Sequence, residues 1–409
     1  MTAQRRSGLG TNQEAVRRHN LGTLLRHVHG AGQISRAELT SLMGLNRSTI
    51  AGLVGELESL GISERATPAG GARQGAGRPS AGVAIAGDGP CVIAVDLGVD
   101  RAVVARVGLG GRVLQQAQAP VPAEGEAWQV GASVAALIRE VVEDAPAASP
   151  LVGIGISVPG MVRRSDGLIR LAPNLEWHDV SFGGIVLAAL GLDVPVSLAN
   201  DADLGALAEH TRGVGVGIDD LIYVSGNVGV GAGVIMGGHR LEGAGGYAGE
   251  VGHLRFDPGG RPCHCGNRGC WETEVGGHAI AEAIHCPPDK VAQLDEVLDG
   301  FDSPSPELRR TGTAIGHGLA SIVNMFNPRL VVLGGYFRSL YQLVGTDIEA
   351  GLADRALPAP LESVRLTLPG LGSDSALLGA AEIALEPLFV DPVAALGTAL
   401  VDVRARLAG

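Results

Sequence analysis

The first sixty residues carry apolar side chains at the spacing of short helices. Leucine and valine recurring every three or four residues predict a first helix over 12–29. Ser35 followed by Glu38 forms a capping box, which predicts a short second helix that ends at Met43. A third apolar run predicts another helix, with Asn46 as its N-cap. The apolar positions of the first and third helices are Leu21, Leu24, Leu25, Val28, Ile50, Leu53, Val54, Leu57 and Leu60.

The short turn that contains Gly44 is typical of a helix-turn-helix unit. If a wing follows the third helix, the N-terminal region is a winged helix-turn-helix, and the first turn of its third helix meets base edges and phosphates. A small helical bundle that binds protein is the alternative for the same pattern. The candidate DNA-contacting residues are Arg36, Arg47, Ser48 and Thr49.

Beyond residue 90 the pattern changes to apolar strands mixed with helices. Strands are predicted over 91–95, 102–109, 113–119 and 152–157, with a helix over 128–142. A similar order recurs, with strands over 221–225 and 230–236, then helices, then a strand over 330–333. This recurrence predicts an α/β body made of two halves, although no residue-level repeat accompanies it.

Charge is divided unevenly between these two parts. Residues 1–82 contain ten Arg and five Glu, which gives +5, and the other 21 basic and 38 acidic residues give −17, for a total of −12. A basic head on an acidic body favours contact between the head and nucleic acid. No apolar run is long enough to cross a bilayer and the N-terminus has no apolar signal core, so we expect a cytoplasmic protein without a membrane partner.

Three of the five cysteines lie within eight residues of one another, in the glycine-rich stretch 249–272. Cys263, Cys265 and Cys270, together with His253, supply four ligands of the types that zinc prefers. Four protein ligands leave no open position for water, which predicts a structural rather than a catalytic zinc ion. The alternative is a cysteine-rich turn without metal. No role is assigned to Cys91 or Cys286.

The motif Glu250-Val-Gly-His253, followed by Cys-x-Cys-Gly-x-x-Gly-Cys-x-Glu272, resembles the ROK family of sugar kinases and sugar-responsive repressors. The resemblance implies a two-lobed actin-like (ribonuclease H-like) α/β domain with a structural zinc loop. We expect a winged helix-turn-helix with its wing and linker over 1–82 and the ROK sugar-binding domain over 83–409. Lobe one would cover about 90–200 plus the C-terminal segment, and lobe two about 201–385.

The linker and the cleft also carry segments that resemble the family. The linker segment containing Arg78 resembles one found at this junction in ROK repressors, where an arginine can enter a narrow minor groove; a solvated linker arginine is the alternative. By resemblance, Asp201 occupies the position of the kinase base. The expected sugar-binding residues are Gly160, Asn174, Asn200, Asp201, Glu250, His253 and Glu272.

The phosphate side departs from the kinase pattern. Where the family's kinases have Asp-x-Gly-Gly-Thr, this chain has Val99 and Asp100 at the last two positions, and Val228 replaces a threonine in the second loop. Phosphoryl transfer depends on positioning phosphate and neutralising its charge, so these changes predict no ATP binding and no enzymatic activity. Asp201 would then be a vestigial base, with no catalytic residues.

These features together predict a sugar-responsive transcriptional repressor, a homodimer or homotetramer, with operator DNA and a small sugar as partners. The effector is expected to be an unphosphorylated hexose or hexosamine, unless Arg163 or Arg164 folds over the site to accept a phosphate. One alternative is an ATP-dependent sugar kinase fused to a DNA-binding head. Another is a zinc-stabilised sugar-binding module whose head binds protein.

Overall fold

The structure is a computed structural model that describes residues 13–66, 82–122 and 125–407. Its helices are α1 (Gln13–Ala31), α2 (Arg36–Met43), α3 (Arg47–Ser59), α4 (Ala127–Val142), α5 (Phe182–Leu190), α6 (Asp201–Thr211), α7 (Glu272–Val275), α8 (Gly277–Ala283), α9 (Leu294–Leu298), α10 (Pro306–Phe326), α11 (Phe337–Arg355), α12 (Pro358–Ser363), α13 (Ser375–Val390), α14 (Pro392–Thr398) and α15 (Val403–Leu407). Its strands are β1 (Gln33–Ser35), β2 (Ser63–Ala66), β3 (Gly82–Ile85), β4 (Cys91–Leu97), β5 (Arg101–Gly108), β6 (Arg112–Pro120), β7 (Leu151–Val158), β8 (Met161–Arg163), β9 (Leu168–Ala172), β10 (Trp177–Val180), β11 (Val196–Asn200), β12 (Leu221–Gly226), β13 (Val230–Met236), β14 (His239–Arg240), β15 (Leu330–Gly335) and β16 (Arg365–Thr367).

Local signals position the three N-terminal helices. The predicted capping box is confirmed, because Ser35 Oγ accepts from the Glu38 N–H and the Glu38 carboxylate accepts from the Ser35 N–H. Gly44 ends α2 in the left-handed conformation, with φ of 64°. Asn46 caps α3 as predicted, since its side-chain oxygen accepts from the Thr49 N–H at 2.8 Å. Strands β1, β3 and β2 form an antiparallel sheet beside these helices.

The body contains two five-stranded sheets with the same topology. In the first, β4, β5 and β6 form an antiparallel meander, and β7 and β11 extend it in parallel on the other side of β4. In the second, β12, β13 and β14 form the meander, and β15 and β16 extend it in parallel beside β12. The duplication predicted from the order of elements is confirmed. A small third sheet, β8–β9–β10, was not predicted.

The halves defined by these sheets are called lobe one (β4–β7, β11) and lobe two (β12–β16). Helix α13 packs against β7 of lobe one so closely that a Cβ on Gly155 would lie 1.8 Å from Ala380 O. It packs equally closely against α6, where a Cβ on Gly379 would lie 2.0 Å from Leu204 O. The domain and lobe limits given above remain predictions.

The core of the N-terminal region continues into the body. Buried leucines of α1 and α3 belong to the same apolar cluster as Leu385, Leu388 and Phe389 of α13. Gly22 allows the backbones of α1 and α13 to touch, because a Cβ there would lie 2.0 Å from Phe389 O. Within the described ranges, no helix is long and apolar enough to cross a membrane.

Candidate functional site

A cavity of about 660 Å³ opens where strand ends of the two lobes face each other. The carboxyl ends of parallel strands are common ligand sites in α/β proteins, because loops there present polar groups into a crevice. All seven residues expected to bind sugar line this cavity. They are Gly160, Asn174, Asn200, Asp201, Glu250, His253 and Glu272.

Asn200 and Asp201 sit where β11 becomes α6. The Asn200 side-chain oxygen caps the helix by accepting from Ala202 N–H at 2.9 Å and Asp203 N–H at 3.4 Å, while its Nδ2 donates to Gly160 O at 3.2 Å. Asp201 Oδ2 accepts from Asn227 Nδ2 at 2.9 Å, which fixes the direction of the carboxylate. Burial raises the pKa of Asp201 above its ordinary value.

The side of the cavity in lobe one depends on close backbone packing. Gly160 follows β7, and a Cβ on it would lie 2.6 Å from Leu171 O. Asn174 lies in the 3₁₀ turn Pro173–Leu175, which Glu176 ends in the left-handed conformation with φ of 56°. This turn places Asn174 in the lining of the cavity.

Three of the residues expected to bind sugar lie on the lobe-two side of the cavity. Glu272 Oε2 accepts from the Val230 N–H at 2.9 Å, which holds its carboxylate against the start of β13. Glu250 Oε2 lies 3.9 Å from His253 Nε2. Burial raises the pKa of Glu250, with His253 acting in the opposite direction. The residues expected to bind sugar thus offer three carboxylates, two amides and an imidazole to a ligand rich in hydroxyl groups.

The predicted metal ligands converge beside the cavity. The ligand atoms of His253, Cys263, Cys265 and Cys270 all lie within 4.8 Å of one another. Cys263 Sγ is 3.6 Å from His253 Nδ1, and Cys265 Sγ is 3.6 Å from Cys270 Sγ. Neighbouring sulfurs in a tetrahedral zinc site lie about 3.8 Å apart, from Zn–S bonds of about 2.3 Å, so the geometry fits zinc. His253 Nδ1 faces the cluster, whereas its Nε2 faces Glu250.

Two further features hold this loop in place, and the first of them was not predicted from the sequence. Trp271 is fully buried and its Nε1 donates to Ala314 O at 3.0 Å, which anchors the loop to α10. Gly269 has φ of 67°, and a Cβ there would clash with Asp257 O. An apolar tryptophan directly after the last cysteine was the available signal for the anchor.

The arginines considered as phosphate acceptors lie elsewhere. Arg163 pairs with Asp166 at 2.5 Å and Arg164 with Glu242 at 2.7 Å, and neither is among the described residues that line the sugar cavity. Arg261 does line it, and sequence reasoning missed this residue. Its guanidinium is paired with Glu282.

A second, smaller cavity of about 160 Å³ occupies the expected phosphate side. Val99, Asp100 and Val228 line it, together with the Asp201 carboxylate. Asp96 also lines it and accepts from Ser157 Oγ at 2.8 Å. Burial raises the pKa of Asp96 to about 6.

The predicted DNA-contacting residues lie on α2 and α3, far along the chain from the cavity. Arg47 and Ser48 are exposed at the start of α3, and Arg36 pairs with Glu58 at 3.2 Å. The hydroxyls of Ser48 and Thr49 donate to Asn46 Oδ1 at 2.7 and 3.0 Å. Arg78 lies outside the described residues.

Comparison with known proteins places this geometry in a family. Residues 92–386, well over half of the chain, match the family model described as "ROK family". The chain belongs to the ROK family. The ROK relatives include the xylose repressor of Bacillus subtilis, which is 28% identical over 391 residues that cover 93% of this chain and 98% of the repressor. The Thermotoga maritima glucokinase is 29% identical over 314 residues, covering 72% of this chain and 97% of the kinase.

Among solved ROK structures, too, a transcriptional regulator aligns with more of this chain than a glucokinase does. A ROK family transcriptional regulator, described as a homolog of the E. coli MLC protein, superposes with a TM-score of 0.73 at 25% identity and covers 97% of this chain and all of that one. A ROK glucokinase from Streptomyces griseus, in complex with glucose and AMPPNP, has a TM-score of 0.61 at 26% identity and covers 72% of this chain and 99% of that one. The two-lobed actin-like ROK fold with a helical N-terminal region is thereby confirmed.

Proposed function

We propose that this protein is a sugar-responsive transcriptional repressor whose affinity for operator DNA changes when a sugar occupies the cleft. The observation that carries the proposal is the extent of the match to repressors. The xylose repressor and the solved regulator align with almost the whole chain, N-terminal helices included, whereas the glucokinases align with about 72% of it.

The DNA-binding part of the proposal is a winged helix-turn-helix over 1–82. Helices α2 and α3, joined through Gly44, have the lengths and turn of such a unit, and the β1–β3–β2 sheet beside them supports the assignment of a wing. We assign operator contact to the exposed start of α3. The proposed DNA-contacting residues are Arg36, Arg47, Ser48, Thr49 and Arg78.

The proposed effector is an unphosphorylated hexose or hexosamine, bound by the ROK domain over 83–409. Asp201, Glu250 and Glu272 can accept hydrogen bonds from several sugar hydroxyls, while three carboxylates repel a phosphate. The pairing of Arg261 with Glu282 reduces the positive charge available to offset them. Because relatives are named xylose repressors, D-xylose belongs in any test panel beside the hexoses.

We also propose that zinc, held by His253 and the three clustered cysteines, is structural. The ion would fix His253 so that its Nε2 faces the sugar, because a ring nitrogen bound to metal sets the orientation of the other. Cys263 Sγ also lies 3.8 Å from Glu272 Oε1, so the metal site and the sugar site share a border.

A second candidate function is an ATP-dependent sugar kinase fused to a DNA-binding head. The glucokinase relatives favour it, as does the position of Asp201 between the two cavities. The small cavity counts against it, since Val99, Asp100 and Val228 line it where the family's kinases have phosphate-binding residues, and Asp100 adds a negative charge there. We therefore propose that the protein is not an enzyme and binds no ATP.

The deciding experiment measures operator binding. Genomic DNA fragments retained by the purified protein are sequenced, and the affinity of one fragment is measured with and without D-glucose, D-xylose or N-acetyl-D-glucosamine. A DNA-binding dimer in the cytoplasm should select a two-fold symmetric site. Arg47→Ala should weaken binding by about 1–3 kcal/mol, whereas Arg310→Ala on the exposed surface of α10 should not. Hexose-dependent ATP turnover that Asp201→Asn abolishes would instead establish the kinase.

A further inference from the structure

Helix α6 has its two ends in different functional parts of the molecule. Its first residue, Asp201, lines the sugar cavity, and Asn200 caps that end. Its C-cap, Arg212, lies beyond the other end. Eleven residues at about 1.5 Å per residue make a helix about 16 Å long. A displacement of the sugar-binding end would therefore be carried over that distance by a single rigid element.

The distal end of α6 contacts the N-terminal region directly. The Arg212 guanidinium pairs with Glu382 of α13 and contacts the His29 ring of α1. His29 Nε2 lies 3.2 Å from both Glu382 carboxylate oxygens. These three side chains, here called the coupling triad, are only 6–10% exposed.

The surroundings of His29 define the charges of the triad. The Gly110 N–H donates to His29 Nδ1 at 3.0 Å, and His29 Nε2 faces both the Glu382 carboxylate and the Arg212 guanidinium. Burial lowers the pKa of His29 well below its ordinary value, and Arg212 acts in the same direction. The triad therefore consists of a neutral imidazole between a carboxylate and a guanidinium. Such a buried group is sensitive to geometry, because the removal of one partner leaves another polar group unpaired.

Helices α6 and α13 are packed as one unit at this end. The buried Glu209 carboxylate accepts from the Gly370 and Leu371 N–H groups and from Ser375 Oγ, at 2.8–3.0 Å. The other side of α6 borders a cleft of about 1,210 Å³ that Leu207, His210 and Arg26 of α1 line. This open cleft leaves space for the lobes and α1 to change their relative positions.

We propose that α6 transmits sugar binding to the DNA-binding region, and that the coupling triad is the joint through which α1 is repositioned. This inference rests on the proposed function. A sugar held by Asp201 and by lobe two would draw the lobes together, as hinge closure does in two-lobed proteins. Arg212 and Glu382 would then shift together relative to His29, and α1 would tilt. None of the three side chains needs to touch sugar or DNA.

The test separates coupling from binding. Arg212→Gln and Glu382→Gln should each bind the effector sugar within about threefold of wild type by calorimetry, and operator DNA without sugar within a similar factor. The sugar-induced change in operator affinity, which is typically about 5–150-fold in allosteric proteins, should fall to about twofold or less. Arg310→Gln, an exposed arginine paired within α10, is the matched control and should keep the full response.

Hydrogen exchange of α1 supplies a readout that does not need DNA. D-Glucose, D-xylose or N-acetyl-D-glucosamine, whichever binds, should alter exchange over Gln13–Ala31 in wild type and not in Arg212→Gln. If Arg212→Gln fails to fold, Arg212→Lys keeps the charge and should retain part of the response. Wild-type coupling in both triad variants would overturn the inference. A wild type without sugar-dependent operator binding would overturn the proposed function, and the coupling with it.

Discussion

Asp201 shows how a single carboxylate can take its role from its surroundings. Asn227 orients it, burial raises its pKa, and it lies on the border between the sugar cavity and the acidic small cavity. A carboxylate in this position can accept a hydrogen bond from a sugar hydroxyl whether or not a phosphate is ever transferred. Retention of Asp201 is therefore compatible with a sensor.

We expect Asp201→Asn to weaken sugar binding by about 1.5–3 kcal/mol, the range for a hydrogen bond to a charged group. Calorimetry with each sugar and its 6-phosphate measures the effect. Asp193→Asn, on an exposed position after α5, is the matched control and should change nothing. Tighter binding of the 6-phosphate by wild type would contradict the assignment of the cavity.

Asp96 should make stability depend on pH. Its folded-state pKa of about 6 lies above the ordinary value of 3.8, so the folded protein holds the proton more tightly than the unfolded chain. Its contribution is present in full below pH 3.8 and is lost as pH rises through 6, with a slope of at most about 1.4 kcal/mol per pH unit. Urea unfolding from pH 4 to 7 should show this loss in wild type relative to Asp96→Asn. Parallel curves for the two proteins would exclude it.

The loop over 253–272, which carries the cysteine and histidine cluster, connects the core of lobe two to the cavity of about 660 Å³. Trp271 is buried against α10, and the next residue, Glu272, accepts a hydrogen bond from β13. The three cysteine ligands lie between His253 and this anchor along the chain. A bound ion would fix the positions of both ends of the loop relative to the cavity.

Cys265→Ser should lose zinc and weaken sugar binding, because the loop that presents His253 and Glu272 would lose one of its fixed points. Metal analysis of the purified variant and calorimetry with the effector sugar measure the two effects. Cys286→Ser, which changes a cysteine outside the cluster, should retain both properties. Normal sugar affinity in a zinc-free Cys265→Ser protein would separate the loop from sensing.

The contact between α1 and α13 can be tested with two glycines of the same helix. Gly22→Ala places a methyl group against Phe389 O, whereas Gly30 has open space around it. Overpacking costs about 1–3 kcal/mol, so Gly22→Ala should lower the melting temperature. Gly30→Ala should leave it unchanged or raise it, because alanine favours helix. Equal melting temperatures for the two variants would mean that α1 is not seated on α13.

Across the whole molecule, the features that could be predicted from the sequence are those that depend on residues close together in the chain. The capping box at Ser35, the cap at Asn46 and the recurring order of elements in the two halves follow from local hydrogen bonding and periodicity, and all three are confirmed. The gathering of the site residues around one cavity was available only through the motif shared with the family, because spacing alone does not bring Asn174 to Glu272.

What the sequence did not predict depends on partners far along the chain. His29 meets Glu382 across 353 residues, and Glu209 is satisfied by backbone groups more than 160 residues away. Hydrophobic periodicity cannot predict such a pairing, because a single polar residue in the sequence indicates only an exposed position or a helix cap. The contact of Gly22 with Phe389 O is also invisible without the fold, since a glycine within a helix looks only unfavourable.

The seating of α1 on α13 also bears on how the protein is made. During translation α1 emerges first, but its partner follows only after more than 340 further residues. At about 5–20 residues per second, this interval is roughly 20–70 s. During that time the face of α1 that packs on Phe389 is uncovered, and the His29 ring lacks its carboxylate. We therefore expect the N-terminal region to become fully ordered late, so that a nascent chain reaches DNA-binding form only after the sugar cleft is complete.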